Sequence, residues 1–163
     1  MDIRDANPSD AAAACEVLRR SISELCVADH GNDPTFLQRW LSNKTPAIFT
    51  SWILQSDHSL LVAVEHNAIL GVGSVTDAGE ITLNYVAPEA RFRGVSRTLL
   101  GALEARAALR GNRCCNLFST ETAHRFYQTG GYVDAGAPAR KFGMASGYPM
   151  FKNLAVSSAW PTS

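Results

Sequence analysis

Several things are scarce in this 163-residue chain, and each scarcity removes a class of function. No apolar run approaches the roughly 18 residues of a membrane span. The first ten residues are polar and charged and hold no apolar core segment of a secretory leader. There is no net charge, 15 Lys and Arg balancing 15 Asp and Glu, so general electrostatic attraction to nucleic acid or to an anionic membrane is excluded. Basic chemistry must therefore be local. Cysteine is sparse and badly spaced for metal: Cys15, Cys26, Cys114 and Cys115 lack the paired spacing of a zinc site, and neighbours on a strand point to opposite faces. No bound metal is expected. Internal repeats and low-complexity stretches are absent too. These exclusions leave a soluble, cytoplasmic protein with reduced cysteines as the expectation.

What is present fits one globular unit. The 46% hydrophobic content over this length supports a core without metal or disulfide staples. Residues 1–154 read as a single domain and 155–163 as a loose C-terminal tail. A short strand is expected at Ile3 to Ala6, followed by a capped helix start at Asn7-Pro8-Ser9-Asp10. Leu18, Ile22 and Leu25 place one apolar stripe on that helix, which should run to about Val27. Asp33-Pro34 and Thr45-Pro46 repeat the cap-plus-proline signal for two further helices, and Ala28 to Asp33 reads as a polar loop between the first two. From Leu60 the period becomes extended. Strands at Leu60 to Glu65, Ala68 to Thr76 and Glu80 to Val86, divided by turns at His66-Asn67 and Asp77 to Gly79, should form an antiparallel meander. A helix from Val95 to Leu109, a strand from Cys114 to Ser119, another helix, and a terminal strand pair at Ala139 to Phe142 and Tyr148 to Leu154 complete the expected order. This is an α/β arrangement, a mixed sheet with helices on both faces.

The richest local signal is Arg-Phe-Arg-Gly-Val-Ser at residues 91 to 96, where the third meander strand stops and a long helix starts. A turn of this kind aims successive free N–H groups at one spot, a cradle for phosphate oxygens. Gly94 allows close approach of a ligand, and Arg91, Arg93 and Arg97 add positive charge. Downstream the chain reads Ala123-His-Arg-Phe-Tyr127 and then Gly131-Tyr132.

Together these residues resemble the GNAT N-acetyltransferase superfamily. Its signature is Arg/Gln-x-x-Gly-x-Gly/Ala after a strand, followed by Ala-x-x-x-Tyr and a Gly-aromatic pair. Arg91-x-x-Gly94-x-Ser96 departs only at Ser96, a small residue that should leave the cradle intact. The resemblance implies a GNAT-type fold with a mixed, largely antiparallel central sheet. It also implies acetyl-CoA as co-substrate, its pyrophosphate on the backbone of Phe92, Arg93, Gly94, Val95, Ser96 and Arg97, with Arg91 alongside. The pantetheine arm would run along the strand end at Val86, and Thr120 stands where the family often has an asparagine that bonds this arm. Tyr127 matches the family's general acid, which protonates the departing thiolate. Glu80, 11 positions before Arg91, stands at the offset of the general base in the histone-acetylating members. The loop residues Asp29, His30, Asn32 and Asp33, with Asn84 on the central strand, are candidates to hold a cationic amine acceptor. Trp40 and Trp52 read as core, and His124 as a helical surface residue. The expected activity is transfer of an acetyl group to an amine of unidentified nature. A non-catalytic acyl-CoA-binding or sensor domain is the alternative, and a homodimer is left open.

Overall fold

The structure, a computed structural model, describes residues 1–139 and 147–155. Residues 140–142 of the expected strand Ala139 to Phe142, and residues 156–163 of the expected tail, lie outside the described residues.

Seven strands form one open sheet in the order β1-β2-β3-β4-β5-β7-β6. They are β1 (Asp2–Asp5), β2 (His58–Glu65), β3 (Ala68–Thr76), β4 (Glu80–Val86), β5 (Cys114–Ser119), β6 (Val133–Asp134) and β7 (Tyr148–Asn153). Among the described residues six α-helices accompany them: α1 (Ala11–Leu25), α2 (Val27–His30), α3 (Pro34–Leu41), α4 (Pro46–Ile53), α5 (Val95–Leu109) and α6 (His124–Thr129). The meander β2-β3-β4 is antiparallel, as its turn residues require, and β4 and β5 are the one parallel pair among the described strands.

Two findings depart from the sequence reading. The first long helix ends at Leu25, and Ala28 to His30, expected as the start of a polar loop, belong to a separate helical turn, Val27–His30, closed by Gly31 in the left-handed conformation (φ 56°). The two-residue strand β6 was not expected; alternation cannot be read over so short a stretch, and it exists only through its pairing with β7.

The cap signals hold at atomic detail. Asn7 accepts the Ser9 N–H while Asp10 accepts the Asn7 N–H, and the Arg4 guanidinium beside Asp10 keeps its carboxyl below the usual carboxylate range. Asp33 caps α3 through the N–H groups of Thr35 and Phe36, and Thr45 caps α4 through that of Ile48.

Sheet glycines set how closely α5 lies on the sheet. A Cβ on Gly73 would sit 2.9 Å from Leu103 Cδ1, and one on Gly71 3.0 Å from Val95 Cγ1. Without side chains at these two places, Leu99 and Leu103 drop onto β3, and the N-terminus of α5 is brought to the end of β4. Leu61, Val75, Ile81, Leu99 and Leu103 fill this face, while Leu18, Phe49, Val62 and Val72 fill the opposite one beneath α1 and α4.

Candidate functional site

The parallel pair β4 and β5 is joined only at its start, where Glu80 registers with Asn116 and Ile81 with Leu117. Beyond that point each strand keeps its outer neighbour, β4 pairing with β3 as far as Val86 and β5 with β7 as far as Ser119. The inner edges therefore part, leaving roughly 16 Å of β4 backbone without a strand partner on that side. A bulge accompanies the parting: Val75 registers with Ile81 but Ser74 with Leu83, so Thr82 is an extra residue. Bulges bend a strand and increase its twist.

The bulge also decides which side chains share a face. Without it Glu80 and Asn84, four apart, would point the same way. With it, Asn84 shares a face with its partner Gly73, the α5 face, as Ile81 does with Val75, and Glu80 falls on the other face with Leu83 and Tyr85. Two cavities, of about 620 and 790 Å³, follow this division. Asn84 and Val86 line only the first and Glu80 only the second. They meet at the gap, where Ile81, Thr82, Leu83, Tyr85, Phe118 and Thr120 line both.

At the mouth of the first cavity stands the turn 91–97. The N–H of Arg91 reaches Pro88 O at 3.3 Å and that of Thr98 reaches Gly94 O at 3.0 Å. Between them, the N–H groups of residues 92 to 97 have no acceptor among the described residues. Phe92 (φ 64°) and Gly94 (φ 80°) both take the left-handed conformation, which curls this run of donors into a concave surface. Phe92 is exposed, with the Arg91 guanidinium 4.6 Å from its ring centre. Arg91, Ser96 and Arg97 line the cavity. Arg93 does not: its guanidinium turns back to Glu65 at 2.7 Å, so its contribution to the cradle is its backbone N–H.

Deeper in the gap lies Tyr127. Asp29 positions the chain that leads to it, accepting the Glu121 N–H (2.6 Å), the Thr122 N–H (3.3 Å) and the Thr122 hydroxyl (2.6 Å). Thr120 Oγ1 accepts the Ala123 N–H at 3.1 Å, which leaves its own proton available to donate. Past α6, the Tyr132 hydroxyl donates to Glu104 on α5 at 2.9 Å, and Lys152 of β7 binds the same carboxylate at 3.0 Å. So held, Tyr127 packs edge-on against Phe126 and Tyr132, with ring centres 5.2 and 5.6 Å away.

Burial pushes the Tyr127 phenol up to about 12. The Asn84 side chain beside it counters part of that shift, yet neither Asn84 Nδ2 nor Oδ1 completes a hydrogen bond, although both atoms are buried. Buried amide groups almost always find partners. An orphaned amide next to a protonated phenol, at the apex of an opened sheet, is a place made to receive polar atoms from outside the chain.

The second cavity holds surprises. Glu80 is there as a wall residue, its N–H donating to Thr76 Oγ1. The loop residues expected beside an acceptor are not. None of Asp29, His30, Asn32 and Asp33 lines either cavity. Asp29 is turned to the 121–122 turn, Asp33 is a helix cap, and His30 is buried with Nε2 donating to Ile22 O (2.8 Å) and Nδ1 accepting from Asn32 N–H (3.0 Å). Their places are taken by Trp40, Lys44 and Trp52, the last of which also packs on the core. His124 lies outside both cavities, paired with Asp134 at 2.7 Å and stacked on Tyr148. Lys44 was missed by sequence reasoning, and a single lysine between Asn43 and a helix cap carries no signal that could have found it.

The site thus combines a helix start whose N–H groups lack acceptors among the described residues with a sheet split between two parallel strands. The chain belongs to the GNAT acetyltransferase family, whose domain model matches residues 21–154. Its structure is similar to a GCN5-related N-acetyltransferase from Rhodopseudomonas palustris, at 26% identity and TM-score 0.82 over 94% of this chain and 95% of that one. It is also similar in fold to the PaiA N-acetyltransferase from Thermoplasma acidophilum, solved with coenzyme A (20% identity, TM-score 0.81, 94% and 98% covered). A third likeness is to the aminoglycoside 6'-N-acetyltransferase from Enterococcus faecium (16% identity, TM-score 0.68, 94% and 97% covered). Among curated proteins nothing matches the sequence.

Proposed function

We propose that this protein transfers an acetyl group from acetyl-CoA directly to an amine, with the first cavity as the donor side and the second as the acceptor side. The observation that carries this reading is the splayed β4–β5 gap, with free N–H groups of residues 92 to 97 at its mouth and Asn84 and Tyr127 at its apex. Family membership and the coenzyme A held by a fold relative agree with it.

Each part of the site has a task. The 92–97 backbone, with Arg91 and Arg97, binds the pyrophosphate; Val86 and the unpaired edge of β4 present main-chain groups to the pantetheine arm, as an added strand would find them. Thr120 offers its hydroxyl proton to the same arm. The thioester supplies an activated acyl carbon and a thiolate leaving group. Asn84 Nδ2 is a donor with nothing to bond, available to oxygen where charge develops. Tyr127 keeps its proton throughout the neutral range, because burial raises it, and can hand that proton to a departing thiolate. Glu80, on the acceptor side, takes a proton from the incoming ammonium, directly or through water.

Thiol release from acetyl-CoA across a panel of amines tests the proposal, with acetyl-CoA binding followed by calorimetry. Amine-dependent release is expected. Tight binding of acetyl-CoA with no release for any amine would instead identify an acyl-CoA-binding domain that does not turn over.

A further inference from the structure

The second cavity holds a buried ammonium that no carboxylate among the described residues answers. Lys44 is 7% exposed and lines this cavity. Its backbone is fixed from both ends, the N–H donating to Leu41 O at 3.0 Å and the carbonyl accepting from Arg19 at 3.2 Å, so the side chain is placed rather than loose. The ammonium bonds two neutral oxygens, Asn43 Oδ1 at 2.6 Å and Trp40 O at 3.4 Å. An ammonium has three protons to donate. Among the described residues no carboxylate lies within 4.0 Å of it.

Buried ammonium groups are normally paired, because removal from water penalises the charged form and only a nearby anion restores it. Here burial does pull Lys44 down, to about 8, with no carboxylate opposing the shift. The rest of the wall does not supply an anion at this end. Arg39 adds a second cation, His58 turns Nε2 to Trp52 O at 2.6 Å, and Glu80 is the one carboxylate lining the cavity among the described residues. One wall thus carries a carboxylate suited to an ammonium, and another carries cations suited to an anion. Aminoglycosides, the acceptors named for one fold relative, are polycations and would meet Lys44 and Arg39 unfavourably.

We infer that the acceptor is a small zwitterion, an amine that carries its own carboxylate, with Lys44 receiving the carboxylate and Glu80 facing the amino group. This rests on the acetyl-transfer reading and narrows it from any amine to the amino-acid class. A carboxylate on Nζ would fill the third donor position and hold the ammonium charged, so Lys44 acts as a specificity-determining residue.

Matched acceptors that differ only by the carboxylate decide the matter: tyrosine against tyramine, histidine against histamine, lysine against cadaverine. Thiol release should favour the carboxylated member of the accepted pair by at least about tenfold in kcat/KM, the worth of one charge-assisted hydrogen bond. In Lys44→Met the ratio within that pair should fall toward one. Equal or better turnover of the decarboxylated amines by the unaltered protein, or a preference that survives Lys44→Met, overturns the inference. Should no amine release thiol, the transfer reading fails by itself, and binding still judges this one. N-acetyl amino acids titrated into the CoA-loaded protein should then bind, and bind less in Lys44→Met; no binding to the unaltered protein overturns it.

Discussion

The two cavities beside β4 are built from different materials. The first, the proposed donor side, leans on main chain: six consecutive N–H groups and a strand edge, joined by side chains such as Arg91, Arg97, Asn84, Thr120 and Tyr127. The second, the proposed acceptor side, is made of side chains from distant segments, Trp40 and Lys44, Trp52 and His58, Ser74 and Glu80, brought together by the fold. A main-chain cradle depends on backbone conformation and tolerates a changed side chain, as Ser96 illustrates at the last motif position. A side-chain cavity has the specificity of its individual residues and no other. The difference teaches that one fold can hold its donor constant while its acceptor varies, and each substitution below should strike one cavity and spare the other.

The largest effect is expected at Gly94. Its φ of 80° is one that a β-branched residue strongly resists, and a Cβ there would meet no protein atom within 4 Å, so the substitution acts by displacing the backbone of the cradle and not by a clash within the protein. Gly94→Val should cost about 1–3 kcal/mol of stability from strain and abolish measurable acetyl-CoA binding. Calorimetry on the folded variant checks it; normal affinity would mean that the pyrophosphate does not sit on this turn.

Next is Tyr127, at the apex. Tyr127→Phe keeps the packing against Phe126 and Tyr132 and removes only the hydroxyl that carries the proton, so turnover should fall by about 10² to 10⁴ while acetyl-CoA affinity changes little. Single-turnover measurements isolate the chemical step. An unchanged rate there would assign thiolate protonation to solvent.

A smaller loss, on the order of tenfold to a hundredfold, is expected for Glu80→Gln at pH 7. An amine acceptor is largely protonated there, and a base at the site shortens its deprotonation. The deficit should shrink as pH rises and free amine becomes abundant. A deficit constant with pH would make Glu80 a positioning residue, and none at all a bystander.

How much of this was legible in the chain follows the same division. The cradle candidate lies within seven consecutive residues between an apolar strand and an apolar helix, and Tyr127 is four residues from Ala123, so local pattern was enough to single out both as candidates. The meander was legible because its turns, His66-Asn67 and Asp77 to Gly79, carry the positive-φ residues such turns need. The Thr82 bulge was not. It exists only in the register of β4 against β3, and it moves Glu80 to the face opposite Asn84, which no count along the strand can foresee. The acceptor wall failed for the same reason: Asp29 to Asp33 looked like free polar groups, and only the folded chain shows their hydrogen bonds already committed to the 121–122 turn, to Ile22 and to α3. Lys44 is the converse, a residue that reads as surface charge and is buried.

Lys44 yields an effect of another kind, on stability alone and independent of any ligand. Its ammonium sits at about 8 against an ordinary 10.5. Between those values the unfolded chain holds the proton and the folded chain has released it, so this group makes stability rise with pH there. Below pH 8 both states are charged and the burial penalty is fully present; above 10.5 both are neutral and it is gone. Lys44→Met has similar bulk and no charge, so it should stabilise the ligand-free protein at pH 7 by up to about 3 kcal/mol. Arg19 of α1, Arg39 of α3, His58 of β2 and Glu80 of β4 are present in both proteins; the buried Cys15 thiol of α1, raised by burial and held down in part by Lys44, is raised further once the lysine is gone, which affects the comparison only at alkaline pH. Urea unfolding from pH 6 to 10.5 should show the variant's advantage full up to about pH 8 and shrinking beyond it. An advantage that does not change with pH would trace to packing alone, and a variant less stable at pH 7 would show that the bonds to Asn43 and Trp40 already satisfy the charge. In that case Lys44 is not a cation waiting for an anion, and the acceptor side loses the residue that distinguishes it.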